Sequence, residues 1–189
     1  MNAVLQAIRE RRSTRSYQPR AVSREELETL IDAATWAPSG MNTQPWRFVV
    51  VQDEGLKKKL VATAVPNSKK YLEPFKESNP TRYAAIMKRY DELGDPVYYS
   101  APAIIFVIGS GSYAVESCPL ACENLLLAAQ SMGLGTCWVK LGSLVTDNPE
   151  IVSALDLKEG EEIFGPILVG YPAEQPAAPA RKQTRVTWI

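Results

Sequence analysis

The sequence predicts one domain that mixes α-helices with a few short buried strands and ends in an extended tail. Three observations lead to this reading. Runs of helical apolar spacing are interleaved with short β-branched runs, the pattern of a sheet covered by helices. The longest helical run, Tyr113 to Met132, is apolar on nearly every face. From Pro172 onward, three prolines among small residues disfavour helix and sheet interior alike. Length agrees, because 189 residues fit a single domain, 1–189, with enough chain to bury a sizeable core.

Taken in order, residues 2 to about 11 have helical spacing, with Val4, Leu5 and Ile8 on one face. In Val22-Ser23-Arg24-Glu25-Glu26, Ser23 caps a second helix and Glu26 completes a capping box. Leu27, Leu30, Ile31 and Ala34 continue that helix until Pro38 stops it. Trp46 to Val51 is short, aromatic and β-branched, hence a central strand. Asp53 caps a helix through about Ala64. Asn79-Pro80 places an N-cap before a proline in the first turn, with Gly94 closing that helix.

Ala103 to Ile108 reads as a second buried strand. The apolar helix at 113–132 ends at Gly133 in a left-handed cap and must be buried in the core or against another subunit. Thr136 to Val139 is a third strand, Pro149 to Leu155 a short helix, and Ile163 to Gly170 a fourth strand. Residues 65–99, rich in tyrosine, are either a helical excursion packed on the body or a lid. The tail, 172–189, is an extended arm whose Val186, Trp188 and Ile189 need burial on their own domain or on a partner.

Composition narrows the chemistry. Lys+Arg and Asp+Glu both number 21, so the balance favours neither a nucleic-acid binder nor a membrane-surface protein. There is no histidine, which removes His triads, His metal ligands and imidazole proton shuttles. Cys118, Cys122 and Cys137 lack a framework spacing and read as buried small hydrophobes, so no metal site is expected. With no leader pattern and no long apolar span, a reducing cytoplasm is the expected location. No glycine-rich dinucleotide fingerprint follows a strand, so a nicotinamide donor would bind only transiently.

Two segments carry the functional information. Arg11-Arg12-Ser13-Thr14-Arg15 gathers three guanidinium groups and a hydroxyl, a set suited to phosphate. The bland alternative is a solvated basic helix end that complements the helix dipole. Pro38-Ser39-Gly40-Met41-Asn42-Thr43-Gln44-Pro45-Trp46 is a polar loop of small side chains that stops at a tryptophan. The Asn42 and Gln44 amides each offer a donor and an acceptor, matching the edge of a pyrimidine-like ring, and Gly40 allows close backbone approach. Trp46 itself reads as a strand anchor.

The order R-R-S-x-R, A-P-S-x-x-N-x-Q-P-W, G-L-G-T-C-W, G-Y-P and a late R-K resembles the FMN-dependent nitroreductase family over nearly the whole chain. The resemblance implies an α+β fold: a central, mostly antiparallel sheet flanked by helices, in an intertwined homodimer with C-terminal arm exchange. It implies two FMN molecules at the dimer interface, each touched by both subunits. The helix at 113–132 would then lie in that interface. Arg11 and Ser13 would bind the FMN phosphate, with Arg12 acting through its backbone and Arg181 closing over it beside Lys182. Arg15 would face the flavin N1/C2-carbonyl edge, where a cation favours reduction. Pro38, Ser39, Gly40, Asn42 and Gln44 would come from the other subunit. Trp138, Val139, Lys140 and Leu141 would run past the ring, with the Lys140 or Leu141 N–H facing N5.

The implied activity is an FMN-dependent NAD(P)H oxidoreductase that reduces nitroaromatics, quinones or similar electron-poor acceptors by ping-pong hydride transfer. NADH or NADPH would be the transient donor, and no catalytic side chain is required. A non-catalytic flavin sensor, a flavin-fragmenting enzyme and a reductive dehalogenase share the architecture and stand as alternatives.

Overall fold

A computed structural model of the chain describes residues 2–189. Asn2 caps α1 (Ala3–Glu10) by accepting from the Leu5 N–H. The Ser23–Glu26 capping box is complete at the start of α2 (Arg24–Thr35). After β1 (Trp46–Val51), Asp53 caps α3 (Glu54–Leu72), which runs well past the Ala64 boundary expected from sequence. Pro66 lies inside this helix without ending it. Leu60, Ala64, Ser68 and Leu72 form a buried ridge at i, i+4 spacing, and that packing overrides the cost of the proline.

Residues 65–99 contain the end of α3, then α4 (Phe75–Ser78), α5 (Pro80–Glu92) and a tight turn. Asn79 caps α5 with Pro80 in its first turn. β2 (Ala103–Gly109) is buried along its whole length. α6 (Ala114–Ser131) ends at Gly133 (φ 73°), with Leu134 N donating to Ala129 O and Gly133 N to Gln130 O. This is the two-bond left-handed cap that the glycine implies. β3 (Gly135–Trp138), a 3₁₀ turn (Lys140–Ser143), α7 (Pro149–Ala154), β4 (Glu162–Ile163) and β5 (Ile167–Gly170) follow.

The single strand expected at 163–170 is therefore two pieces. Both pair antiparallel with β2, in registers Ile108↔Ile163 and Ile105↔Ile167. Between those pairs, β2 has two residues where the partner has three, so the ladder carries a one-residue bulge. Phe164 N and Gly165 N both reach Val107 O there.

The sheet order is β1-β2-β5-β3, with every strand pair antiparallel. Helices cover both faces. Ala103, Ile105 and Val107 face a core shared with α2 and α6, while Ile104, Phe106 and Ile108 face one shared with α3 and α7. Burial on both faces explains why β2 reads as an unbroken apolar run. Each fully buried Leu, Ile or Phe in these layers contributes about 1.5–3 kcal/mol.

Several apolar surfaces remain uncovered in the single chain, among them the α1 face of Val4, Leu5 and Ile8, of which no residue is buried. α6 buries Cys118, Ala121, Cys122, Leu125 and Ala129, yet Val115 is 62% and Leu120 45% exposed. Its burial is thus one-sided within the chain, not all-round. The tail forms no regular structure beyond Pro172, and Val186 (61%) and Trp188 (90%) are exposed. No helix among the described residues is long and apolar enough to cross a membrane.

Candidate functional site

The Arg11–Arg15 segment docks on the free edge of β3 through one isolated parallel bridge, Ser13↔Thr136. Thr14 N donates to Thr136 O at 2.8 Å, and Gln18 N to Tyr171 O at 2.9 Å. Thr14 is buried at 3% exposure, packed over Gly135. A Cβ on Gly135 would lie 2.6 Å from the Thr14 hydroxyl, so only glycine lets the segment dock. The sheet edge therefore fixes the backbone from which Arg11, Ser13 and Arg15 project.

The guanidiniums have distinct roles. Arg12 folds back, donating to Arg9 O and Arg11 O at 2.7 Å each, and so caps the C-terminal end of α1. Its side chain is spent there. Arg11 is 3.9 Å from Glu123 on α6, a loose contact. Arg15 donates only to Ser13 O, at 3.4 Å.

Cys137 of β3 lies within the electrostatic reach of Arg11 and Arg15. Burial pushes its thiol up, while Arg15, the Ser13 hydroxyl, Arg11 and Arg89 act in the opposite direction. Arg89, from the last turn of α5, thus joins the cluster from a different element. It stands 4.9 Å from the Tyr99 ring centroid, and Arg15 stands 6.0 Å from the same ring. Tyr99 and Ser100 hold left-handed backbone (φ 53° and 51°), which costs a non-glycine residue roughly 1–2 kcal/mol. The Asp95 carboxylate stabilises that turn by accepting from Val97, Tyr98 and Ser100 N–H groups.

The 3₁₀ turn sits at the end of β3. Val139 N donates to Pro166 O at 3.1 Å, which removes it as a free donor. Lys140 and Leu141 open the turn, where N–H groups have no internal acceptor, and neither finds one among the described residues. The Tyr98 hydroxyl donates to Gly142 O at 2.7 Å and anchors the turn from the core. Trp138 is 37% exposed beside it.

The Pro38–Gln44 loop lies elsewhere. It precedes β1, at the opposite edge of the sheet from β3, and enters at the Trp46↔Gly109 end. The Thr14 bridge, through Thr136↔Val169↔Ala103, sits at the other end of β2. Both segments nevertheless reach α6: Gly40 N donates to Ser117 Oγ at 3.3 Å, and Arg11 lies 3.9 Å from Glu123, six residues further along that helix. Met41, Asn42 and Gln44 all have positive φ (50°, 54° and 46°). Gly40 presses against the Tyr113 ring, where a Cβ would approach to 2.5 Å. Gln44 N donates to Ser39 Oγ, and the Gln44 amide to Asn42 Oδ1, at 3.0 and 3.2 Å. Asn42 and Gln44 are exposed.

Arg181 is exposed in the tail and makes no hydrogen bond or ion pair among the described residues. Cys118 and Cys122 are buried, with thiols pushed up to about 11 and about 12 by burial. No group of metal-ligating side chains occurs among the described residues.

A sequence model of the nitroreductase family matches residues 8–171. The chain belongs to the nitroreductase family. A relative from Methanothermobacter thermautotrophicus, named as a candidate NADH dehydrogenase/NAD(P)H nitroreductase, is 33% identical over 92% of this chain and 79% of its own length. An iodotyrosine deiodinase from Haliscomenobacter hydrossis is 31% identical over 89% of this chain and 79% of its own. A nitroreductase with bound FMN from Desulfitobacterium hafniense superposes with a TM-score of 0.83 at 27% identity, covering 100% of this chain and 99% of that one. The α+β class with its antiparallel sheet agrees with this nitroreductase fold.

Sequence reading did not find Arg89, and it placed Tyr99 only among the aromatic residues of the 65–99 excursion or lid. Asn79-Pro80 sets the start of α5, but nothing local signals that its last turn meets the Arg11–Arg15 segment.

Proposed function

We propose that the chain is an FMN-dependent NAD(P)H oxidoreductase acting on nitroaromatics, quinones or similar electron-poor acceptors, and that its site is completed by a second copy. One observation carries this reading. Arg11, Ser13 and Arg15 project from one segment docked beside β3, while the amide-bearing loop precedes β1 at the opposite edge of the same sheet. We read the two segments as halves of one ligand site contributed by two subunits.

The donor set suits FMN. Arg11 and Ser13 would hold the phosphate, with the Arg12 backbone beside them and Arg181 of the arm over it. Arg15 would set a positive charge against the pyrimidine edge. Pro38, Ser39, Gly40, Asn42 and Gln44 of the other copy would bind the ring edge. Trp138 and Val139 would border the ring, with the free N–H of Lys140 or Leu141 aimed at it. FMN, when bound, supplies two-electron redox chemistry by hydride transfer, which needs no histidine. The protein's part is to orient the ring, tune its charge and exclude water. Donor and acceptor using one opening in turn give ping-pong kinetics. The exposed side of α6 and the uncovered tail are the surfaces a homodimer with exchanged arms would bury.

Purified protein should show a flavin absorption band that bleaches under argon with NADH or NADPH and returns on adding a nitroaromatic or quinone. Colourless protein that binds no added FMN sinks the reading. A flavin that neither nicotinamide bleaches favours a sensor. The deiodinase relative motivates a second arm: return of the band with an iodotyrosine, but with no nitro or quinone acceptor, favours the dehalogenase alternative.

A further inference from the structure

We propose that Tyr98 is a positioning residue for the cofactor: its hydroxyl sets the angle at which the free N–H of Lys140 or Leu141 meets the flavin, and through that N–H the flavin potential. The proposal rests on the oxidoreductase reading above and deepens it by naming what holds the N–H in place.

The 3₁₀ turn is closed mostly from within. Gly142 N donates to Val139 O at 3.0 Å, and the Ser143 hydroxyl to Lys140 O at 2.9 Å. These bonds make one unit of Val139–Ser143 but do not set its tilt on the body. Val139 N ties one end to Pro166 O, and α3 packs against the turn. Packing limits how far the unit can slide. Hydrogen bonds are directional, so a second bond at the other end fixes the tilt. The Tyr98 hydroxyl supplies it, donating to Gly142 O at 2.7 Å. Among the described residues it is the only side chain from outside the turn that hydrogen-bonds to Lys140–Ser143.

Tyr98 is itself firmly held. It is 1% exposed, and its N–H donates to Asp95 Oδ1 at 2.7 Å. The left-handed residues Tyr99 and Ser100 follow at once, with Ser100 N also bound to Asp95. Burial, with the Asp95 carboxylate adding to it, pushes the Tyr98 hydroxyl up, so it stays protonated and stays a donor. The turn has no slack against it. A Cβ on Gly142 would lie 2.8 Å from the Tyr98 ring and 2.8 Å from the Pro166 ring. Flavin N5 is a bare acceptor when oxidised and carries hydrogen when reduced, so an N–H held against it favours the oxidised form. Losing the tilt therefore weakens oxidised FMN and spares reduced FMN. A general loosening of the site weakens both alike and leaves the potential where it was.

The test measures FMN affinity and flavin midpoint potential in Tyr98→Phe, reducing with dithionite against a reference dye so that no nicotinamide takes part. Oxidised FMN should bind about fivefold more weakly, the loss of one neutral hydrogen bond. The potential should rise by the same factor, about 20 mV for two electrons. Gly142→Ala, which must push the turn off the Tyr98 and Pro166 rings, should raise it as well. Ser23→Ala, which removes the α2 cap and also destabilises the fold, should leave it unmoved. An unmoved or lowered potential in Tyr98→Phe, or an equal rise in Ser23→Ala, overturns the proposal even if FMN binds more weakly. Protein that binds no FMN sinks this proposal and the oxidoreductase reading together. A raised potential in Tyr98→Phe, with a wild-type flavin that neither NADH nor NADPH bleaches, leaves the role of Tyr98 standing and the oxidoreductase reading fallen.

Discussion

The two halves of the proposed site are built in opposite ways. Arg11–Arg15 is docked on a sheet edge, with Thr14 buried and backbone hydrogen bonds on either side of Arg15. Pro38–Gln44 is exposed apart from the half-buried Ser39 and Gly40, holds three non-glycine residues at positive φ, and, among the described residues, is tied to α6 only through Gly40 N and Ser117 Oγ. One half is supported by its own chain; the other is strained and turned outward at the far corner of the sheet. Strain of this kind persists where the surroundings, or a ligand, over-determine it. A shared site needs this asymmetry: a rigid anchor for the charged end of the cofactor and a presented loop for the other subunit's ring.

The largest effect should come from breaking each half in a different chain. Arg11→Ala with Ser13→Ala removes charge-assisted bonds to phosphate and should weaken FMN binding about 10- to 100-fold. Asn42→Ala with Gln44→Ala should weaken it less. Co-expressed and purified as a mixed dimer, the two defective chains reconstitute one intact site, because one supplies its Arg segment and the other its loop. The readout is flavin per dimer, expected near one in the mixed species and near none in either parent. No recovery in the mixed dimer would put both halves in one chain.

Much of this asymmetry was legible in the sequence, and the remainder was hidden for identifiable reasons. Local rules placed the Ser23 and Asn79 caps and the Gly133 stop, because each depends on a few neighbouring residues. Both site segments were visible as unusual side-chain sets at the ends of regular elements. The continuation of α3 through Pro66 was not, since it depends on a buried ridge that only the fold supplies. The bulge at Phe164–Pro166 was missed because an apolar run hides a one-residue insertion. Arg89 was missed, and the place of Tyr99 beside it was not legible, because their meeting depends on the Asp95 turn, which joins elements distant in the sequence.

A smaller effect separates the loop's support from its strain. Arg47, next to Trp46, grips Glu161 with two bonds of 2.7 and 2.6 Å and also donates to Leu155 O and Asp156 O. The Arg47 guanidinium holds the Glu161 carboxyl well below the usual carboxylate range, at about 2. A depressed carboxylate stabilises the fold above its unfolded value, near 4.3, and that contribution is lost as pH falls toward about 2. Glu161→Gln should therefore lower stability by about 1–3 kcal/mol at neutral pH and flatten the acid limb between those values. Denaturant melts across that window check it; parallel curves for the two proteins would mean the pair contributes nothing.

The smallest effect tests whether the loop's strain is real and local. Met41 is 84% exposed at φ 50°, and its side chain has only a weak 3.5 Å bond from the Tyr113 hydroxyl to its sulfur to lose. Glycine there removes a left-handed penalty of roughly 1–2 kcal/mol. It adds unfolded-chain entropy that costs about 0.5–1 kcal/mol. The difference predicts that Met41→Gly stabilises the protein by about 0.5–1 kcal/mol, read as a higher denaturation midpoint at unchanged slope. Flavin affinity should fall at the same time, because a looser loop must be ordered again on binding. The matching change in the docked half, Thr14→Gly, should destabilise instead, since Thr14 is buried against Gly135. Opposite signs at the two positions would sharpen the contrast between the halves, and equal signs would erase it.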